Sequence, residues 1–490
     1  MNSIFFSSDR RSNPGKTFWT PFNGTHIPDL AQNLIFAGSL FVMNSSGQLK
    51  KRRFILTNSG LYYCSNAKSP PKKMCIISWK TLTIFTEENE SRPRLGFSLS
   101  SGKISKDFYP VTSVKLQKWV RYLSTVAIAT RLQDYYTIIQ EAGKGSTATV
   151  FLALDRETQQ KFAVKSVSKD NLLANKRALP ALINEIEIMR VLSHPRLVKL
   201  HKIYEDDECV HLILDYMENG DLFGRVTRRG CFPEETALQF IKNLLEVLEY
   251  VHSKNIIHRD LKPENILMMD KENDTEFKIA DFGLATLSSK DLTLRCGSPG
   301  YAAPELLWKN PYGVKVDIFS IGVILYVILT GRAAFYGRNV QEVLLNNRDC
   351  NINFYEKHWK NISVEAMNMV VKLTEKDPNL RYSASEALAH PWFLKKEAKK
   401  RTLKRASSNF VDPNLNYSPP YGHPNTPNFN NLSPPYGSPI TLKQRLILGR
   451  KNVTKPINID AAKEDSPRRV YKNRNLLINL RKLDPVDSRK

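Results

Sequence analysis

The stretch His258-Arg259-Asp260-Leu261-Lys262-Pro263-Glu264-Asn265 decides the reading of this chain. A pattern of that length and charge order does not arise by chance. Asp281-Phe282-Gly283 and then Ala303-Pro304-Glu305 follow it in order. Upstream, residues 143–150 read Gly-Lys-Gly-Ser-Thr-Ala-Thr-Val. A glycine pair in a strand–turn–strand lets the backbone approach phosphate groups closely. Further on comes Phe162-Ala163-Val164-Lys165. A lysine inside an apolar strand calls for a partner, and Glu185, on a predicted helix, is the natural one. Lysine held by glutamate can grip the α- and β-phosphates of a nucleotide.

Taken together, these segments resemble a eukaryotic protein kinase domain running from Asp134 to Phe393. The resemblance implies ATP and Mg²⁺ as cofactors and assigns roles residue by residue. Asp260 accepts or orients the proton of the substrate hydroxyl, and Lys262 offsets charge near the γ-phosphate. Asn265 and Asp281 hold Mg²⁺, an ion suited to hard oxygen ligands. Lys165 and Glu185 form the phosphate-gripping pair. Gly143, Lys144, Gly145, Ser146, Val150 and Ala163 line the ATP site. Met217, in Asp215-Tyr216-Met217, offers backbone groups to adenine, and Asp221 approaches the ribose or a basic substrate residue. Asp317 and an Arg381–Glu305 pair are structural. No catalytic position is missing.

Lys262 and Cys296-Gly297-Ser298-Pro299-Gly300-Tyr301 resemble the serine/threonine type. His390-Pro391-Trp392-Phe393 and the segment Asp215 to Phe223 resemble the calcium/calmodulin-dependent kinase group. Two positions depart from the pattern. Ala148 stands for the third loop glycine, and Phe319 stands for a tryptophan two residues after Asp317. Asp221 and Glu264 are placed to read one basic residue upstream of the target hydroxyl, whereas Val327 argues against a second. Arg259 is of the type that clamps an activation-loop phosphate, with Thr293, Ser288 and Ser289 as acceptors.

Ahead of the kinase-like segment, seven short apolar or alternating runs are separated by polar, Gly or Pro-rich turns. They are Ser39–Met43, Arg53–Thr57, Leu61–Cys64, Met74–Ile77, Thr81–Phe85, Leu95–Leu99 and Phe108–Val111. The period then becomes helical at Leu116, Trp119, Val120, Leu123 and Ala127, behind a Ser113 cap. This plan resembles a pleckstrin homology domain. The fold class expected is α+β: a seven-stranded barrel-like module closed by a C-terminal helix, then a two-lobed kinase. The divisions are an irregular leader over 1–33, the module over 34–130, the kinase over 134–393 and a tail over 394–490. Lys50 and Arg52 share one strand face, which the resemblance makes a grip for anionic phosphoinositides. The further lysine of that motif is absent from the first strand, where Phe41-Val42-Met43 stands.

Within the kinase segment, strands are predicted at Tyr136–Gln140, Thr149–Leu154, Lys161–Ser166, Leu197–Ile203 and Val210–Asp215, with a helix at Leu182–Leu192. Helices dominate from Glu234. Ile318 to Thr330 is too short for a membrane span and reads as a buried core helix.

The chain has 490 residues, with 41% hydrophobic and 24% charged, as in ordinary globular proteins. Its net charge of +24 is concentrated at the ends. Residues 1–130 hold 18 Lys and Arg against 6 Asp and Glu, residues 131–394 hold 33 against 35, and residues 395–490 hold 21 against 7. Basic ends point to acidic partners or to solvated tails. Scattered cysteines at 64, 75, 209, 231, 296 and 350 argue against a disulfide scaffold and a zinc site and fit a reducing, cytoplasmic location, peripheral to a membrane if the lipid site is used. Met1 to Arg11 lacks the pattern of a secretory signal. No nucleic-acid motif backs the basic charge.

The tail, with Ser-Pro-Pro-Tyr-Gly at 418–422 and 433–437, is expected to be disordered. Lys395–Phe410 occupies the place of a calmodulin-binding helix in the resembled group, but its apolar spacing favours a basic linker. Lys404-Arg405-Ala406-Ser407 is a basophilic phosphorylation pattern, and Ser418, Thr426, Ser433, Ser438 and Ser466 precede prolines. The function implied is transfer of the ATP γ-phosphoryl to protein Ser/Thr hydroxyls. The alternative is a scaffold with an inactive kinase fold, which intact Lys165, Asp260, Asn265 and Asp281 oppose.

Overall fold

The computed structural model describes residues 3–5, 17–22, 33–66, 69–88, 93–145, 147–288, 292–308 and 310–394. Ser146, Ser289 and every feature assigned to the tail lie outside the described residues. The chain divides into two units, Met1–Glu218 and Asn219–Lys490.

The first unit begins with strands β1 (Thr20–Pro21), β2 (Leu34–Met43), β3 (Leu49–Thr57), β4 (Leu61–Cys64) and β5 (Pro71–Cys75). These form a five-stranded sheet in the order β1-β5-β4-β3-β2. β6 (Thr81–Glu87), β7 (Arg94–Ser101), β8 (Ile104–Phe108) and helix α1 (Ser113–Leu123) follow. Alternation along β3 turns Phe54 and Leu56 inward, and both are fully buried. Leu40, Phe97, Leu99 and Phe108 meet them in one core, which α1 closes with Leu116, Trp119, Val120 and Leu123. An isolated Phe41–Tyr109 bridge joins β2 to the end of β8. Gly38 eases this closure: a Cβ there would crowd the Trp119 ring at 3.2 Å.

Several expectations are corrected here. The stretch assigned to an irregular leader contributes β1, whose Thr20 pairs with Met74, and buries Phe5 and Phe18. The eighth strand is Ile104–Phe108 rather than Phe108–Val111. A tight turn at Gly102, with φ of 57°, pairs Ser101 with Ile104, and Pro110 has no N–H to extend the ladder. Thr112, not Ser113, caps α1 by accepting from the Lys115 N–H at 3.3 Å.

The last residues of the 34–130 module form β9 (Ile128–Ala129). Ile128 and Ala129 pair in parallel with Thr81 and Leu82 of β6 on one side. On the other side they pair with Ile203 and Tyr204 of β13 (Leu200–Glu205). Two residues thereby merge β6, β7 and β8 with β10 (Tyr136–Lys144), β11 (Thr149–Asp155), β12 (Lys161–Ser168), β13 and β14 (Cys209–Asp215). The result is a nine-stranded sheet in the order β10-β11-β12-β14-β13-β9-β6-β7-β8. Helices α2 (Lys169–Ala174) and α3 (Ala178–Val191) follow β12. α3 starts a turn earlier than predicted because Pro180 sits in its first turn, where no N–H is needed.

The second unit is mainly helical: α4 (Leu222–Arg229), α5 (Glu234–Ser253), α6 (Pro304–Trp308), α7 (Lys315–Thr330), α8 (Val340–Asp349), α9 (Glu356–Trp359), α10 (Val364–Leu373) and α11 (Ala384–Leu388). The α5 stripe from Ala237 to Val251 is buried as its periodicity requires. From Val316 to Leu329 every residue of α7 is buried, which makes it the core helix its composition predicts. Short strands β15 (Ile256–Ile257), β16 (Ile266–Met268), β17 (Phe277–Ile279) and β18 (Thr286–Leu287) lie among residues 256–287. Among the described residues no helix is long and apolar enough to cross a membrane.

Candidate active site

In the first unit, Gly143 and Lys144 end β10 opposite Val150 and Thr149. The turn closes with the Gly145 N–H donating to the Ala148 carbonyl at 2.8 Å. Open space lies where a Gly143 side chain would stand. One strand further in, Lys165 pairs with Val150. Its Nζ donates to Glu185 Oε1 of α3 at 2.7 Å, with the two side chains 17% and 6% exposed. The predicted pair is therefore formed. Asp215, ahead of half-buried Met217, accepts from the Lys199 N–H and bonds His201 Nε2 at 2.7 Å. This fixes the end of β14 against the start of β13.

In the second unit, Asp317 organises the decisive stretch. It is fully buried on α7. Its carboxylate accepts from the backbone N–H groups of His258 and Arg259, each at 2.8 Å, and bonds His252 Nε2 at 3.0 Å. Burial alone would raise its pKa, but the His252 bond, the His252 and His258 charges and the His258 N–H hold it below the ordinary range. These bonds keep Arg259 at φ 66°, a left-handed conformation costly for any residue other than glycine. The next residue is the nearly buried Asp260.

Asp260 sits in a four-residue net. Lys262 Nζ donates to its Oδ2 at 2.8 Å, and Ser298 Oγ donates to its Oδ1 at 2.7 Å. Lys262 also donates to Ser298 Oγ at 2.8 Å. Asn265 Nδ2 donates to the Asp260 carbonyl at 2.8 Å and to its Oδ2 at 3.2 Å. With its amide nitrogen so engaged, Asn265 keeps a carbonyl oxygen as a ligand atom. The Ala280 N–H donates to the Asn265 backbone carbonyl at 2.8 Å, which brings the exposed Asp281 alongside. A neutral amide oxygen and a carboxylate fit a hard cation that takes its other ligands from phosphates. Phe282 packs on His258 with ring centroids 4.9 Å apart. Ser298 entered the sequence reading only as part of a type-defining segment; its hydroxyl now joins the catalytic group.

Other assignments change. Asp221 is the N-cap of α4, its Oδ1 accepting from the Gly224 N–H at 2.7 Å, a job the sequence reading did not give it. Arg259 is nearly buried, and its guanidinium donates to the Leu284 carbonyl at 2.6 Å and to the Tyr312 hydroxyl at 2.8 Å. Tyr312 in turn donates to the Leu294 carbonyl at 3.2 Å. Arg259 thus ties the activation segment through the neutral Leu284 carbonyl and Tyr312 hydroxyl. Ser288 donates its N–H to the Asn255 carbonyl, and Thr293 is exposed.

Glu264 is open to solvent. Its carboxyl is nonetheless held above the ordinary range, by burial first and then by neighbouring Asp221 and Asp260, against the lowering effect of Lys262. The open surface tempers the burial contribution. Arg381 forms the predicted bidentate pair with Glu305, at 2.6 and 3.0 Å. Its guanidinium lies 5.0 Å from the Phe319 ring centre, so the phenylalanine keeps a cation–π role at the departing position.

A model of the protein kinase domain matches residues 136–393. Myosin light chain kinase A of Dictyostelium discoideum is 36% identical over 265 residues, spanning 54% of this chain and 89% of that protein. Calcium/calmodulin-dependent protein kinase type 1 of Macrobrachium nipponense is 34% identical over 286 residues, spanning 58% and 82%. Probable serine/threonine-protein kinase 2 of Plasmodium falciparum is 38% identical over 265 residues, spanning 54% and 51%. The chain therefore spans about half the length of that curated relative.

Proposed function

The chain belongs to the protein kinase family and carries a serine/threonine-type kinase domain; from that premise we propose that it transfers the γ-phosphoryl group of ATP to serine or threonine hydroxyls of proteins. The observation that carries this reading is the Asp260–Lys262–Ser298–Asn265 net. Asp260 orients the attacking hydroxyl and takes its proton, with both carboxylate oxygens fixed by donors. Lys262 sets a positive charge beside the transferring group. Asn265 and Asp281 would hold Mg²⁺, which would neutralise charge on the phosphate oxygens. Lys165, kept extended by Glu185, grips the nucleotide phosphates. The chemistry is positioning and electrostatic stabilisation.

Recruitment to an anionic phosphoinositide membrane is the second part of the proposal. Lys50 and Arg52 alternate onto the strand face that carries Phe54 and Leu56. Lys106 Nζ donates to the Met43 carbonyl at 3.0 Å, which brings a third cation to the end of the sheet where Val42 pairs with Lys50. Lys106 supplies the charge that the first strand lacks, and the basic first 130 residues add long-range attraction.

One experiment tests both parts: phosphorylation of a basic serine peptide by wild type and Asp260→Asn, with and without phosphoinositide liposomes. Activity that survives Asp260→Asn overturns the catalytic reading. Stimulation by liposomes that disappears in Lys50→Glu/Arg52→Glu supports recruitment, and indifference to liposomes overturns it.

A further inference from the structure

Helix α3 carries Glu185 and also makes a second set of contacts on another face. At about 100° per residue, Ile183, Ile186 and Arg190 form a stripe well round the helix from Glu185. That stripe faces the N-terminal region. Phe5 is fully buried in one apolar cluster with Trp79, Ile128, Leu182, Ile183 and Ile186. Its ring stacks on Trp79 with centroids 5.2 Å apart. Ile4 packs on the same cluster, and its N–H donates to Glu205 Oε1 of β13 at 2.9 Å. Lys169 Nζ holds that oxygen at 2.8 Å.

Trp79 itself sits in a turn between β5 and β6, closed by the Lys80 N–H donating to the Ile77 carbonyl at 3.0 Å. Arg190 grasps this turn. Its Nη2 donates to the Ser78 carbonyl at 3.0 Å and the Val126 carbonyl at 2.8 Å. Its guanidinium lies 4.9 Å from the Trp79 ring centre. Burial pushes the Arg190 pKa down to about 10, so it remains a cation near neutral pH. A targeting module that acted alone would need none of this. A flexible connection would suffice, and the apolar stripe of α3 would have some other cover.

We propose that Ser3–Phe5, Trp79 and Arg190 form a latch that seats helix α3 and so sets the Lys165–Glu185 pair, making the N-terminal region a positioning part of the kinase. The proposal rests on the kinase reading. Phe5, Trp79 and Arg190 are positioning residues that act through Glu185. A rotation or retreat of α3 that breaks the latch also moves Glu185 away from Lys165, because one rigid helix carries both faces. The nine-stranded sheet strengthens the coupling, since β9 fixes the Trp79 turn relative to β13.

The test uses the full chain. Phe5→Ala is expected to lower kcat about tenfold, which is about 1.4 kcal/mol of barrier, with the peptide KM unchanged, and Phe5→Leu is expected to restore most of it. In a Glu185→Gln background, Phe5→Ala is expected to cost less than about twofold, because the contact it acts through is already gone. A kcat within twofold of wild type for Phe5→Ala, or losses that multiply in the double variant, would overturn the latch. Amide hydrogen exchange across residues 178–191 gives a readout independent of catalysis. Faster exchange in Phe5→Ala, confined to the first unit, supports the latch, and unchanged exchange overturns it. A wild-type chain that fails to phosphorylate any peptide counts against the kinase reading, and the exchange result then decides the latch by itself.

Discussion

Replacing Ser298 by alanine deletes one hydroxyl that both ends of the Asp260–Lys262 pair use. The hydroxyl donates to Asp260 Oδ1 at 2.7 Å and accepts from Lys262 Nζ at 2.8 Å. Neither charged group is orphaned by its loss. Asp260 keeps Lys262 and Asn265, and Lys262 keeps Asp260. The cost is therefore one of orientation rather than of a buried, unpaired charge. A hydrogen bond to a charged group contributes about 1.5–3 kcal/mol, and the surviving partners recover part of it. A barrier increase of about 1.4–2.7 kcal/mol, or a ten- to hundredfold fall in kcat, is the expected result. The ATP KM stays near wild type, because the Lys165–Glu185 pair does not include Ser298. The assay is initial rate against ATP and against a basic serine peptide, with a denaturation midpoint to exclude loss of fold. Ser298→Thr retains the hydroxyl and is expected to lie nearer wild type. A kcat within twofold of wild type for Ser298→Ala, or a loss confined to the ATP KM, would refute the role given to this hydroxyl.

Two further outcomes follow from charged groups. Arg381→Met leaves Glu305 buried without its bidentate partner and should destabilise the protein by about 3–5 kcal/mol, read as a lower urea midpoint; Glu305→Leu/Arg381→Met should recover much of that, and a single variant as stable as wild type would contradict it. Glu264 has a carboxyl held above its ordinary value, so a larger share is neutral in mildly acid solution. Its affinity for a basic peptide residue should rise as pH climbs through that raised value. The peptide KM is expected to fall as pH rises for an Arg-containing substrate, over a range displaced above that of an ordinary glutamate, to stay flat for a neutral one and to lose the trend in Glu264→Gln; parallel profiles for all three would dismiss Glu264 as a reader of basic residues.

The candidate catalytic residues were legible because phosphoryl transfer restricts residue type at fixed places along the chain, and the structure brings Asp260, Lys262 and Asn265 together. Lys165 and Glu185 were legible as a pair because a cation on an apolar strand needs a counter-charge. What escaped was set by non-local partners. β9 is only Ile128–Ala129, too short to show a period, and its partners β6 and β13 lie far away in the chain on either side. Phe5 belongs to a three-residue apolar run, Ile4-Phe5-Phe6, too short to show a period, and no local pattern announces that it will be fully buried. Asp221 reads equally as a ligand contact or a helix cap, and a cap is recognised only once the Gly224 N–H is seen to point at it. Seven apolar runs fitted a barrel-like sheet, but register depends on turn geometry, so the last strand slid to end at Phe108.

The two non-glycine residues with positive φ that flank the chemistry explain why α7 must be so completely buried. Arg259 at 66° and Asp281 at 63° are left-handed, each at a cost of order 1–3 kcal/mol. Left alone, either residue would relax to an ordinary conformation and turn the neighbouring carboxylate or N–H away. Arg259 is held by the Asp317 carboxylate on its N–H and by Leu284 and Tyr312 on its guanidinium. Asp281 is held through the preceding Ala280, whose N–H is fixed by Asn265, and through its own carboxylate, which accepts from the Gly283 N–H at 3.3 Å. Asn265 in turn bonds Asp260. Strain at both positions is thus offset by one connected set of bonds, and that set terminates in Asp317, on a helix buried from Val316 to Leu329. A site that depends on strained backbone needs such an anchor, because a surface helix would let the Asp317 carboxylate follow the relaxing loop.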